Sequence, residues 1–215
     1  MFGPLKTLLF LAVLWLPLSF FVWFYFAQLF VVPIAWLSST ILEWWMPAVF
    51  TGIEQTRHVL SFITALPIDP AQLVGMDLSQ GRPAVVVDVN PMIYGFCIPV
   101  LTGLVMATPL SSARRALQIG AGVIVLIGVQ TFGTIFDVLK SIGLQSGTEG
   151  MNVIAQAGLS PNLIAFCYQF GYLVLPAITP VILWVMFNQP FIQSLVTTEG
   201  NEIPDAGTDL PGSKS

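Results

Sequence analysis

Long apolar stretches separated by short polar ones organise this chain of 215 residues. The first covers residues 5 to about 37 and contains one charged side chain, Lys6. It is longer than the roughly 20 residues that cross a bilayer core. Three further apolar stretches cover 91–110, 116–135 and 162–187. The pattern predicts an all-α integral membrane protein with about four transmembrane helices.

The polar region between the first two apolar stretches predicts a small cap on the membrane surface. Tryptophan and glutamate side chains in 34–50 indicate a helix that lies along the interface, where tryptophan is enriched. Residues 59–64 and 84–89 combine alternation with β-branched side chains, which predicts two short paired strands. We therefore expect an extracytoplasmic, β-hairpin-like cap. The alternative divides 5–50 into two membrane spans.

These elements predict a linear organisation of the chain into four parts. Pro17 and Pro33 are expected to kink or end the first helix. The polar stretch 141–160 is expected to be a second outer loop. The parts are a first transmembrane helix in 1–37, an interfacial helix and cap in 38–90, a three-helix transmembrane core in 91–187, and a disordered cytoplasmic tail in 188–215.

The orientation prediction comes from the shortest loop, which contains Arg114 and Arg115. Short loops rich in arginine and lysine remain on the cytoplasmic side of a membrane. Four spans then place both termini in the cytoplasm and the cap outside. A multi-pass protein of the bacterial inner membrane is expected, with the lipid bilayer as its surroundings.

Composition agrees with a membrane protein and excludes several function classes. Hydrophobic residues make up 55% of the chain and charged residues 8%, and the mean hydropathy is +0.84. A soluble domain carries about 25% charged residues. Seven scattered basic residues form no nucleic-acid footprint. Two cysteines and one histidine give no zinc motif or disulfide framework, so we predict no metal and no cofactor.

Polar and thiol side chains recur at one predicted depth, about 10 Å below the outer membrane surface at ~1.5 Å per residue. Two interpretations of this polar layer remain open. It is either a site that opens outward below the cap, or a set of interhelical hydrogen bonds worth about 1 kcal/mol each. We favour the second, because none of these groups is a strong acid or base. The members are Gln28, Cys97, Gln130, Cys167 and Gln169.

Small residues at helical spacing predict close contacts between the same spans. Small side chains separated by three residues let the backbones of neighbouring membrane helices approach each other. The second and third spans both contain such positions. They are Gly103, Ala107, Gly120, Gly128 and Gly133.

An ordered series of motifs resembles a known family. The segment Tyr94-Gly-Phe-Cys-Ile-Pro99 opens the second span, and the Arg114–Arg115 turn follows it. A glycine-rich span then ends in Gln130-Thr-Phe-Gly133 and Phe136-Asp-Val-Leu-Lys140. The last span begins with Ile164-Ala-Phe-Cys-Tyr168. Over roughly residues 45–190, this order resembles exosortases and archaeosortases, and most closely the small membrane proteins associated with exosortase H.

The resemblance implies which residues a catalytic member of the family would need. Exosortases are thought to process C-terminal sorting signals as transpeptidases, with a cysteine, an arginine and a histidine. Cys97 falls near the expected cysteine, but no arginine follows at the outer end of the next span and no histidine follows His58. That outer end carries Asp137 and Lys140 instead, whose spacing predicts a local ion pair of about 0.2–0.5 kcal/mol.

These observations lead to one preferred function and two alternatives. The preferred one is a non-catalytic accessory protein of an exosortase-type sorting system, which acts through helix packing and its outer cap on a membrane-protein partner. The first alternative is a divergent cysteine transpeptidase that uses Cys97, with His58 as its only histidine. The second is a structural subunit of another envelope complex.

Overall fold

The computed structural model describes residues 4–67 and 84–193. Helices dominate, and three strands follow the second helix. The helices are α1 Pro4–Tyr25, α2 Ala27–Trp45, α3 Met92–Gly95, α4 Cys97–Ala107, α5 Ser112–Gln145, α6 Gly147–Gln156, α7 Pro161–Gln169, a π-helical segment Phe170–Val174, and α8 Leu175–Phe187. The strands are β1 Phe50–Thr56, β2 Val59–Pro67 and β3 Ala84–Val89.

Within residues 4–67 and 84–193, four helices are long and apolar enough to cross a membrane. The all-α membrane class with about four candidate spans and a small strand unit is therefore confirmed. The set differs from the prediction, because α2 qualifies and the predicted second span is a shorter apolar helix, Met92–Ala107. The four are Lys6–Tyr25, Ala27–Trp45, Ser112–Leu144 and Pro161–Phe187.

The first apolar stretch is interrupted at Phe26, between α1 and α2. Phe26 leaves helical geometry at φ −96° and ψ 13°, although its N–H still bonds the Val22 carbonyl at 3.1 Å. Pro17 and Pro33 lie inside the helices and end neither of them. Of the two predicted effects of these prolines, ending the helix is therefore not observed, and the helix expected to end near 37 continues to Trp45.

An apolar bundle forms one part of the fold. α4 packs against α1, α5 and α8. We call the fully or nearly fully buried side chains of this bundle the bundle core. They come from α4 and the middle of α5. The bundle core consists of Cys97, Ile98, Leu101, Val105 and Leu126.

The antiparallel sheet forms the other part, in the order β1–β2–β3. Leu60 pairs with Val89 and Phe62 with Val87, which buries these four side chains on one sheet face. The pairing of β2 with β3 agrees with the predicted pair of strands, and β1 is an additional strand. A second apolar core, the sheet core, lies between this face and the helices α2, α6, α7 and the last third of α5. It includes Leu42, Phe50, Leu139, Ile142, Ile154 and Ile164.

Two predicted boundaries also differ from the structure. Residues 141–160 are mostly helical rather than a loop, because α5 continues to Gln145 and α6 follows it. Asn188, the first residue of the predicted tail, is buried and bonds Gln118. Residues 189–193 of the predicted disordered tail are helical as well. The remainder of that tail, 194–215, and the cap residues 68–83 lie outside the described residues.

The five predicted packing residues divide into two groups. A Cβ on Gly103 would lie 2.8 Å from Leu16, and one on Gly133 would lie 2.9 Å from the Tyr94 ring. Ala107 is 1% exposed and packs near α1. By contrast, nothing lies within 4 Å of a Cβ at Gly120 or Gly128. These two glycines are therefore not at a helix contact among the described residues, contrary to their predicted role.

Candidate functional site

A buried carboxylate lies where the bundle core and the sheet core meet. Asp137 on α5 is 8% exposed. Its Oδ2 accepts a hydrogen bond of 2.9 Å from the hydroxyl of Tyr94, and its Oδ1 accepts one of 2.7 Å from the Lys140 ammonium group. Both carboxylate oxygens are thus engaged by donors, one of them a cation.

Two more tyrosines complete what we call the Tyr–Asp–Lys cluster: Tyr94, Asp137, Lys140, Tyr168 and Tyr172. The Lys140 ammonium lies 3.7 Å from the centre of the Tyr168 ring, a cation–π contact. Tyr168 stacks on Tyr172 at 6.0 Å, and Tyr172 meets Tyr94 edge-on at 6.1 Å. Three of the four tyrosines in the sequence therefore gather around one ion pair.

Glycines let the elements of this cluster come close together. The Tyr94 ring rests on Gly133, where a Cβ would be too close. A Cβ on Gly171 would lie 3.2 Å from the Cα of Gly133. Because neither glycine has a side-chain carbon, α5 and the π-helical segment contact each other almost backbone to backbone.

The π-helical segment is explained by the proline that follows it. Pro176 has no N–H, so the usual bond to the carbonyl four residues earlier is missing. The preceding residue, Leu175, donates its N–H to the carbonyl of Phe170, five residues back. Such π-bulges occur frequently at functional sites, and this one contains Tyr172.

The ionic groups of this arrangement are already paired with one another. The carboxylate already binds two donors, and the lysine is already paired with an anion. The Tyr94–Asp137 hydrogen bond joins α3 to α5 over a sequence separation of 43 residues. The cation–π contact of Lys140 with Tyr168 adds α7. Asp137 is buried, so removal of Lys140 would leave its carboxylate without a charged partner, which is costly in such surroundings.

The predicted nucleophile is placed among apolar side chains. Cys97 is 0% exposed, and its thiol donates a hydrogen bond to the Tyr94 carbonyl at 3.3 Å. His58 lies in the turn between β1 and β2, beside Arg57. No hydrogen bond or ion pair within residues 4–67 and 84–193 joins His58 to Cys97.

The five members of the predicted polar layer are in different surroundings. Cys97 and Gln130 are buried, and the amide of Gln130 bonds the Leu126 carbonyl of its own helix at 3.3 Å. Cys167 is half-buried, and the side chains of Gln28 and Gln169 are exposed. Both cysteines are free thiols. The backbone carbonyl of Gln28 accepts a 3.4 Å hydrogen bond from the Gln55 side chain of β1.

One feature of the sequence points to the Tyr–Asp–Lys cluster, although the motifs described above do not include it. Asp137 is the one acidic residue in the 34 residues of α5, and it lies where an apolar helix would otherwise continue. An ionisable residue within such a helix indicates a functional or structural site with a specific partner. Helical spacing predicts one partner of Asp137, Lys140 three residues later. The other partner, Tyr94, comes from a distant segment of the chain.

The described residues contain no group of three or more histidine, cysteine, aspartate or glutamate side chains able to hold a metal ion.

Comparison with protein families matches residues 3–191 to the family described as exosortase H-associated membrane protein. No match was found among curated proteins or among solved structures.

Proposed function

Because the chain belongs to the exosortase H-associated membrane proteins, we propose that it is a non-catalytic accessory component of that exosortase system. In this role it binds an exosortase-like membrane partner through its helices and its sheet. The Tyr–Asp–Lys cluster keeps the sheet core in a fixed position on the bundle. The partner then meets a preformed surface instead of two independently moving parts.

The state of Cys97 is the observation that carries this proposal. A nucleophilic cysteine requires a thiolate, which a nearby base or cation must stabilise. The Cys97 thiol is instead a hydrogen-bond donor to a carbonyl and is enclosed by the bundle core. In such surroundings a cysteine behaves as a small apolar side chain.

The experiment compares Cys97→Ala with wild type in a strain that carries the exosortase H system. The measured quantity is the fraction of exosortase target that is processed and anchored, at equal membrane levels of this protein. We expect Cys97→Ala to remain close to wild type, as should the matched control Cys167→Ala. Loss of processing in Cys97→Ala alone would establish the cysteine transpeptidase alternative.

The proposed orientation places the sheet outside and Arg114 and Arg115 in the cytoplasm. Its support is the packing of α2, which lies against β1 and α5, and the hydrogen bond from Gln55 near the end of β1 to the Gln28 carbonyl at the start of α2. β1 is an edge strand of the sheet, and open sheet edges do not occur within the hydrocarbon of a membrane. A helix that packs against this strand is therefore better placed at the membrane surface than inside the hydrocarbon. In this arrangement α1 alone is the first span.

Single-cysteine labelling tests this orientation. In a background without Cys97 and Cys167, Glu54→Cys on β1 and Ser112→Cys at the start of α5 are treated in intact spheroplasts with a membrane-impermeant maleimide. We expect Glu54→Cys to react at once and Ser112→Cys to react only after the membrane is opened. The reverse order would overturn the orientation, and equal reaction of both would place the two sites on one side.

A further inference from the structure

A cleft of about 530 Å³ opens between the first turns of α5 and the end of α8. Its walls are mainly apolar, with Leu117 and Ala121 on one side and Phe187 and Phe191 on the other. One charged residue, Arg114, lines it. The cleft is therefore amphipathic: an apolar slot with a cation beside it.

A reciprocal pair of amides fixes the two walls relative to each other. Gln118 Nε2 donates to Asn188 Oδ1 at 3.1 Å, and Asn188 Nδ2 donates to Gln118 Oε1 at 3.1 Å. Asn188 also bonds the Trp184 carbonyl at 2.9 Å. The shape of the cleft is thus set by partly buried hydrogen bonds between α5 and the residue that ends α8.

The two neighbouring arginines have different partners. The Arg115 guanidinium donates to the Thr108 carbonyl at 3.1 Å, and Thr108 Oγ1 accepts from the Trp184 indole at 2.9 Å. Arg115 therefore belongs to the contact between α4, α5 and α8. Arg114 is exposed, and within the described chain it has no carboxylate partner.

We propose that this cleft binds one membrane phospholipid, with its phosphate at Arg114 and an acyl chain between α5 and α8. The cleft lies at the end of two candidate spans, Ser112–Leu144 and Pro161–Phe187, which is the level of lipid headgroups. Arginine forms charge-assisted hydrogen bonds with phosphate. Basic pockets between transmembrane helices bind anionic headgroups in the same way. Both lipids carry a phosphate, but the choline cation of phosphatidylcholine offsets that charge and opposes Arg114, so phosphatidylglycerol should bind more tightly than phosphatidylcholine.

The size of the cleft distinguishes a lipid chain from a partner helix. An α-helix with side chains is about 10–12 Å wide, so 530 Å³ corresponds to only about one turn of it. A spanning helix would leave most of its length outside. A single acyl chain is narrow and flexible enough to lie along the apolar walls.

Native mass spectrometry of the full-length protein in detergent tests the proposal by titration with dioleoyl phosphatidylglycerol or dioleoyl phosphatidylcholine. Wild type should bind one phosphatidylglycerol about tenfold more tightly than phosphatidylcholine, as expected for a charge-assisted contact. Arg114→Gln should remove this preference. The matched control is Arg57→Gln in the β1–β2 turn, which should retain it. Unchanged preference in Arg114→Gln overturns the proposal.

A second pair of variants tests the apolar half of the site without changing charge. Ala121→Phe fills the cleft and should weaken the binding of both lipids at least tenfold. Ala116→Phe adds the same ring to an exposed position of α5 outside the cleft and should bind like wild type. Equal binding by the two variants would show that the lipid lies elsewhere. Displacement of bound phosphatidylglycerol by glycerol phosphate would show a headgroup site only, and would also overturn the proposal.

Discussion

Polar side chains in the middle of the bundle bond differently from those at its two ends. In the middle, Gln130 and Thr102 bond carbonyls of their own helices, at 3.3 Å and 2.9 Å. At the ends, polar groups bond across elements. Tyr94 and Asp137 join α3 to α5 near the sheet, and Gln118 and Asn188 join α5 to α8 at the other end.

This difference separates two ways of specifying a membrane fold. A side chain that bonds its own helix is satisfied in hydrocarbon whatever lies beside that helix. It therefore adds little to the choice of neighbour, and close packing of small and large residues decides the contact. A bond between helices exists only in one register. We infer that the middle of the bundle is specified by shape and its ends by hydrogen bonds.

The largest expected effect comes from breaking the Tyr–Asp–Lys cluster. Asp137→Asn leaves the Lys140 ammonium without its anion, and we expect the free energy of unfolding to fall by about 2–4 kcal/mol. Loss of one member of a buried pair costs about 3–5 kcal/mol, reduced here because the Lys140 side chain is 28% exposed. Reversible unfolding in mixed micelles measures the change.

The matched control for this prediction is Asp88→Asn on β3. Asp88 accepts a 2.7 Å hydrogen bond from Ser61 on an exposed part of the sheet. Its loss should change the free energy of unfolding by no more than about 1 kcal/mol. Equal effects of the two substitutions would mean that the cluster does not hold the two cores together.

Packing in the middle of the bundle should be next in size. Gly103→Leu forces a side chain against Leu16, and overpacking of this kind costs about 1–3 kcal/mol. Gly120→Leu adds the same atoms where the structure has open space and should cost much less. Thermal unfolding of both variants in detergent provides the comparison. A larger loss in Gly120→Leu would place that glycine at a contact that a partner or a second copy supplies.

The apolar helices and the strands β2 and β3 could be predicted because their patterns are local. β1 could not, since Phe-Thr-Gly-Ile-Glu-Gln-Thr is polar and interrupted by glycine, and its partner strand determines its structure. The break at Phe26 has no proline or glycine to mark it. α5 continues past the predicted end because the sheet core buries Val138, Leu139 and Ile142.

The candidate site was predictable only in part for the same reason. Asp137 and Lys140 are three residues apart, so their ion pair follows from helical spacing. Tyr94 reaches Asp137 only because Gly133 lets the Tyr94 ring rest on α5, which is a tertiary contact. The sequence likewise does not show that Gly103 lies at a helix contact and Gly120 does not. Both match a small-residue pattern, and only the positions of the neighbouring helices distinguish them.

Removal of single hydrogen bonds should change the free energy of unfolding least. It directly tests the difference between the ends of the bundle and its middle. Gln118→Leu removes a bond between helices, and Gln130→Leu removes one within a helix, from side chains of equal size. Interhelical hydrogen bonds in membranes contribute about 0.6 kcal/mol on average and up to about 1.7. We expect Gln118→Leu to lower the free energy of unfolding by about 1 kcal/mol, since it also leaves Asn188 with fewer partners. Gln130→Leu should be near neutral, because burying an apolar side chain of similar volume offsets a weak bond to its own helix. Unfolding measurements that show the opposite order would mean that the ends of the bundle are specified by packing, like its middle.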